Sequence, residues 1–151
     1  MNKIKLTTFI IICVAILGFV KPVFAYEVGI IKTVRGQVRI ERGTNQLEAK
    51  VGDPVQENDR VSVQMGSSIG ISLSDETLLS LGQNSVMVID RYSFNPVTRE
   101  GRVETSILKG TFRFVTGLIG WLNPGAIKVT TPTAVIGVRG TYFIVEVHDV
   151  K

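Results

Sequence analysis

Apolar and polar residues alternate along most of the chain after residue 26, and this two-residue period argues for strands with one buried face. In Gln37–Glu41, Val38 and Ile40 are apolar and their neighbours are charged or amide. Ile69, Ile71 and Leu73 alternate with Gly70, Ser72 and Ser74, and Phe112 and Phe114 alternate with Thr111 and Arg113. Near the end, Phe143, Val145 and Val147 fall on one face of a strand and Tyr142, Ile144 and Glu146 on the other. No segment holds a helical period over three turns. The pattern predicts an all-β chain of short, mostly antiparallel strands, in a twisted sandwich or a solenoid-like roll.

The punctuation agrees with this reading. Turns are expected at Arg42–Asn45, Gly52–Pro54, Ser74–Thr77 and Gly82–Asn84, where Gly, Asn, Asp and Ser cluster. Two longer loops are expected, a polar one over Asp90–Arg102 and an apolar one over Gly117–Gly125. The closing stretch Ile127–Val147 reads as β-rich runs broken by Pro132 and by a glycine corner, Gly137-Val138-Arg139-Gly140-Thr141, with Phe143 and Val145 buried beyond it.

The first 25 residues have a different character. Lys3 and Lys5 precede an apolar run, Leu6–Val20, and Val23-Phe24-Ala25 places a small residue just before Tyr26. That is the layout of a cleavable export signal. The run of 15 residues is short of the roughly 20 that a spanning helix needs, although an uncleaved anchor is the alternative. Cys13 lies inside the run and comes after Ile12, where lipid attachment needs a small residue, so a lipoprotein is rejected. Expected boundaries are a signal peptide over 1–25 and one β domain over 26–151, exported to the periplasm, the cell surface or the medium.

Removing the signal alters both the charge and the cysteine content. Of the 17 Lys and Arg in the chain, Lys3, Lys5 and Lys21 lie at the N-terminus; residues 26–151 carry 14 basic and 13 acidic side chains, a net of +1. Those basic residues are scattered, so nucleic acid is not an expected partner. Cys13 is the only cysteine, so the mature domain has no disulfide, thiolate metal site or cysteine nucleophile and must be held by its core. No integral membrane span is expected after signal cleavage.

Catalytic chemistry is poorly provided for. The single histidine, His148, is three residues from the end, and a Ser-His-acid triad would have to recruit it. The carboxylate pairs Asp75/Glu76 and Glu57/Asp59 lie in polar turns, where such groups are ordinarily solvated. Asp53, Glu57 and Asp59 offer oxygen ligands, but the loop has Pro54 and lacks the glycine of an EF-hand. The reading is a non-enzyme with no cofactor and no metal. The apolar loop is a better candidate: Leu118, Ile119, Trp121 and Leu122 either fold over one end of the core as a lid or form a docking patch for a protein partner. Arg139 is expected to pair with a carboxylate inside the fold, the alternative being that it receives an anionic ligand.

Taken in order, several short motifs carry a resemblance. They are Val34-x-Gly36-x-Val38; Gly52-Asp53 with Asp59-Arg60-Val61; Gly66-Ser67-Ser68; Asp75-Glu76-Thr77 before Leu79-Ser80-Leu81; Leu108-Lys109-Gly110-Thr111-Phe112-Arg113-Phe114; Val129–Ala134; and Val138-Arg139-Gly140-Thr141-x-Phe143-x-Val145. Together they resemble the FecR domain family of exported bacterial proteins, with Gly137, Arg139, Gly140, Thr141 and Phe143 as a structural signature. The resemblance implies an all-β periplasmic domain. Its best-known members are sensors in iron-siderophore signalling, where the domain comes after a cytoplasmic anti-sigma segment and one membrane helix and answers to an outer-membrane transducer. Here a cleavable-looking signal stands in place of that segment and helix, and the extra subdomain often found C-terminal to the domain is missing, so the transmembrane role does not carry over. The expected function is a non-enzymatic sensing or protein-interaction module, recognising another periplasmic or outer-membrane protein through its strand edges and the apolar loop. The alternative is a glycan- or cell-wall-binding β module.

Overall fold

The structure, a computed structural model, describes residues 27–139 and 142–148. The signal expected over 1–25, and Gly140 and Thr141 of the glycine corner, lie outside the described residues. Among the described residues twelve strands form one continuous hydrogen-bonded array: β1 (Glu27–Arg35), β2 (Val38–Arg42), β3 (Asn45–Glu48), β4 (Pro54–Gln56), β5 (Arg60–Val63), β6 (Ser68–Leu73), β7 (Leu78–Leu81), β8 (Ser85–Phe94), β9 (Gly101–Val115), β10 (Ile127–Thr130), β11 (Val135–Gly137) and β12 (Tyr142–Val147). A five-residue helix, α1 (Leu118–Leu122), and a 3₁₀ turn (Pro124–Ala126) sit between β9 and β10.

The array curls into a half-barrel of two layers. One layer runs β4-β1-β6-β7-β9-β12, the other β3-β2-β5-β8-β9-β10-β11. Every pairing is antiparallel except β10 with β9. The chain passes repeatedly from one layer to the other, and the result is all-β with short, mostly antiparallel strands, as the alternating pattern predicts. Strands with one apolar face have to stack those faces against each other, and folding back and forth achieves this with short connections.

β9 joins the layers. Its residues up to Lys109 pair with β8 and β10; from Gly110 onward they pair with β7 and β12. The change of layer occurs at Gly110, whose φ of +87° is left-handed. A Cβ there would run into Ser85 and the Asn84 carbonyl, so the bend needs glycine. Ser85 is buried and holds the corner: its hydroxyl accepts from the Thr111 amide at 3.0 Å and donates to the Thr111 carbonyl at 3.2 Å.

The alternating residues supply the core, including Val38, Ile40, Ile69, Ile71, Leu73, Phe112 and Phe114, all essentially without solvent exposure. Three expectations need correction. The polar loop is shorter than Asp90–Arg102, because β8 continues to Phe94 and β9 begins at Gly101, leaving residues 95–100 as the turn. The apolar connector contains a helix. Phe143 and Val145 are only half-buried, because β12 ends its layer and nothing packs fully over its inner face. Phe143 still stacks on Phe114, with ring centroids 5.0 Å apart.

Candidate functional site

The connector after β9 is the region where the chain presents apolar surface on a fixed support. α1 is little more than one turn, too short to persist by its own hydrogen bonds. It is held from outside. The Leu118 amide donates to the Asp75 carbonyl at 2.8 Å, the Ile119 amide to Asp75 Oδ2 at 3.4 Å, and the Gly117 amide to Thr77 Oγ1 at 3.0 Å. Gly117 packs so closely on the Asp75–Thr77 backbone that a Cβ would collide with it.

Asp75 is the centre of this anchorage. Its carboxylate is fully buried and accepts from Tyr92 Oη at 3.2 Å, Thr77 Oγ1 at 2.7 Å, and the amides of Thr77 and Ile119 at 3.4 Å. Its own amide donates to Tyr92 Oη at 2.9 Å. Burial, with the neighbouring Asp75 charge adding to it, holds the Tyr92 phenol well above the ordinary tyrosine range. The cluster ties the β6–β7 turn, β8 and the first turn of α1 together. It corrects the expectation that Asp75 is a solvated turn carboxylate. The sequence does carry a clue, since an Asp two residues before a Thr is the pattern of a side chain that closes its own turn.

The four candidate docking residues divide on this support. Ile119 is 1% exposed and lies over Gly101, so it belongs to the core. Trp121 and Leu122, at 71% and 60% exposed, point away from it, and Leu118 is intermediate. The segment is therefore a lid on its inner side and an exposed apolar patch on its outer side.

The remaining candidates are occupied in other ways. Asp59 is fully buried against Arg42, whose guanidinium donates Nε–H to Oδ1 at 2.8 Å and Nη2–H to Oδ2 at 2.7 Å; hydrogen bonding to Asp59 raises the Arg42 pKa. Asp53 accepts from the Lys50 amide at 2.9 Å, and Glu57 from the Tyr92 amide at 2.6 Å. The expected polar inter-strand loop is thus a set of carboxylates committed to backbone and arginine. Among the described residues no group of three or more His, Cys, Asp or Glu side chains is arranged to hold a metal ion. His148 is exposed, 3.5 Å from Glu146. Arg139 is exposed, and among the described residues no carboxylate pairs with it, contrary to the internal pair expected. Of the structural signature, Gly137 closes β11, and Phe143 lies on β12.

No helix among the described residues is long and apolar enough to cross a membrane. No curated protein and no solved structure gives a significant match to the chain. A family model described as FecR protein matches residues 59–151. That match takes in β5 to β12, the Gly110 bend and the α1 platform, and the chain belongs to the FecR family.

Proposed function

We propose that this domain is a non-enzymatic sensing module that works by docking another exported protein, in the periplasm or at the cell surface. The FecR family is one of signalling and regulation, which supports the general role. The observation that carries the reading is the pairing of exposed Trp121 and Leu122 with the buried anchorage beneath them. An exposed tryptophan on a rigid support loses little conformational freedom when a partner covers it, and aromatic anchors of this kind dominate binding energy at interfaces. The polypeptide that docks there would be recognised by an apolar pocket fitting the indole. The positively charged, apolar leader supports export, and with it an envelope partner.

A photo-crosslinking residue in place of Trp121 tests this directly in cells carrying the full chain. The expected result is one discrete protein adduct in the envelope fraction, lost when Leu122 is also changed to Ser. Adducts no more abundant than those from the still more exposed position 97 would overturn the reading.

A further inference from the structure

The four strands that end the two layers are not alike. β4 has three residues and opens with Pro54, β3 has four, largely polar and ending in Glu48, and β11 has three. Short length, proline and charge are the usual means of keeping an edge from pairing with another chain. β12 is neither short nor broken by proline, and Glu146 is its single charge. It runs six residues, Tyr142–Val147, in unbroken register with β9, contains no proline or lysine, and among the described residues pairs on one side only. On its outer face Tyr142 and Ile144 are 52% and 56% exposed. On its inner face Phe143, Val145 and Val147 are half-buried and line the grooves that separate β12 from β11.

We propose that β12 pairs with β12 of a second copy of this chain, antiparallel, about a two-fold axis at Ile144. A two-fold contact must be complementary to itself, and this edge is. Pairing that keeps the inner faces together sets Ile144 against Ile144 of the second copy, Phe143 against Val145, and Tyr142 against Glu146. On the same outer face Arg113 of β9 is exposed, opposite Ile144 in register, and its guanidinium lies 4.9 Å from the Tyr142 ring centre. Glu146, whose ion-pair partner among the described residues is the exposed His148 at 3.5 Å, is thereby brought next to Arg113 of the second copy, and the symmetry makes the charge pair twice. The two half-buried Phe143–Val145 rows become one apolar strip shielded on both sides, which offsets the partial burial that β12 has alone.

The register predicts a unique reporter. In an antiparallel pair directly opposed Cα atoms are about 4.5–5.5 Å apart, within the span of a disulfide. With Cys13→Ser as background, Ile144→Cys in the full chain is expected to form a disulfide-linked dimer under mild oxidation, well above cysteines placed at 143, 145 or 146. Light scattering should give a dimer for the unmodified protein and a monomer for Ile144→Lys, whose exposed site leaves folding intact. Arg113→Glu should also give a monomer, and Arg113→Glu combined with Glu146→Arg should restore the dimer. A monomer at every concentration overturns the proposal, and so does a dimer indifferent to Ile144→Lys or cross-linked equally from position 97.

Discussion

The Tyr92 hydroxyl both donates to the Asp75 carboxylate and accepts from the Asp75 amide, so phenylalanine at this position removes two hydrogen bonds from a group that no water reaches. Tyr92→Phe is expected to cost about 1–3 kcal/mol in denaturant titrations at neutral pH. The sign of the pH effect is set by the raised phenol pKa. A folded pKa above the unfolded value near 10 means that the fold retains a proton the unfolded chain releases. The contribution is therefore complete below about pH 10 and is lost as the pH climbs above it, by up to about 1.4 kcal/mol per pH unit. Wild type should lose stability on the alkaline side more steeply than Tyr92→Phe, and equal slopes between pH 9 and 11 would refute the assignment. Neither the buried phenol nor the buried carboxylate was legible locally. Asp75 sits in a polar stretch, Ser74–Thr77, and only the fold brings Tyr92 from β8 across to it.

α1 shows how one short element serves two purposes. Ile119 and Trp121 are two residues apart, which on a helix turns them to different sides. The first enters the core and the second faces solvent. Ile119→Ala should destabilise the domain by about 2–5 kcal/mol, as expected for a buried isoleucine that leaves a cavity. Trp121→Ala should stay within about 0.5 kcal/mol of wild type, as exposed sites do. Thermal melts of the two variants, with the single tryptophan absent from one, separate the roles; a large loss in Trp121→Ala would mean that the indole is part of the packing. The apolar character of the connector is visible in the sequence, but its division into lid and patch is not. A five-residue helix has no period long enough to reveal which side faces inward.

At the scale of the whole molecule, β9 makes two layers into one structure. Its first half completes one sheet and its second half the other, and Gly110 is the bend between them. Gly110→Ala is expected to cost at least about 1–2 kcal/mol for the left-handed backbone alone, with the contact against Ser85 adding to it. Because both halves depend on that bend, amide protection should fall together at Ile107, in one layer, and at Phe114, in the other. Hydrogen exchange confined to one layer would show that the layers unfold independently. Such coupling is expected where the strands connect the layers many times and no linker divides the core.

Period-two alternation, turn residues and family-like motifs were enough to determine an all-β domain of short strands, most of its core positions and its family, because strand faces and turns are set by residues close in sequence. The sequence also singled out the connector that holds Trp121. Which carboxylates are buried, which face of that connector meets solvent, and where the roll is left open all depend on residues brought together from distant strands. Asp75 meets Tyr92 and α1, Asp59 meets Arg42, and among the described residues β12 is hydrogen-bonded to β9 alone. An alternating strand has the same pattern in the middle of a sheet as at its edge. Only the order of strands decides that Phe143 and Val145 are half-covered and that Ile144 faces outward, because burial is a property of neighbours and not of the residue itself.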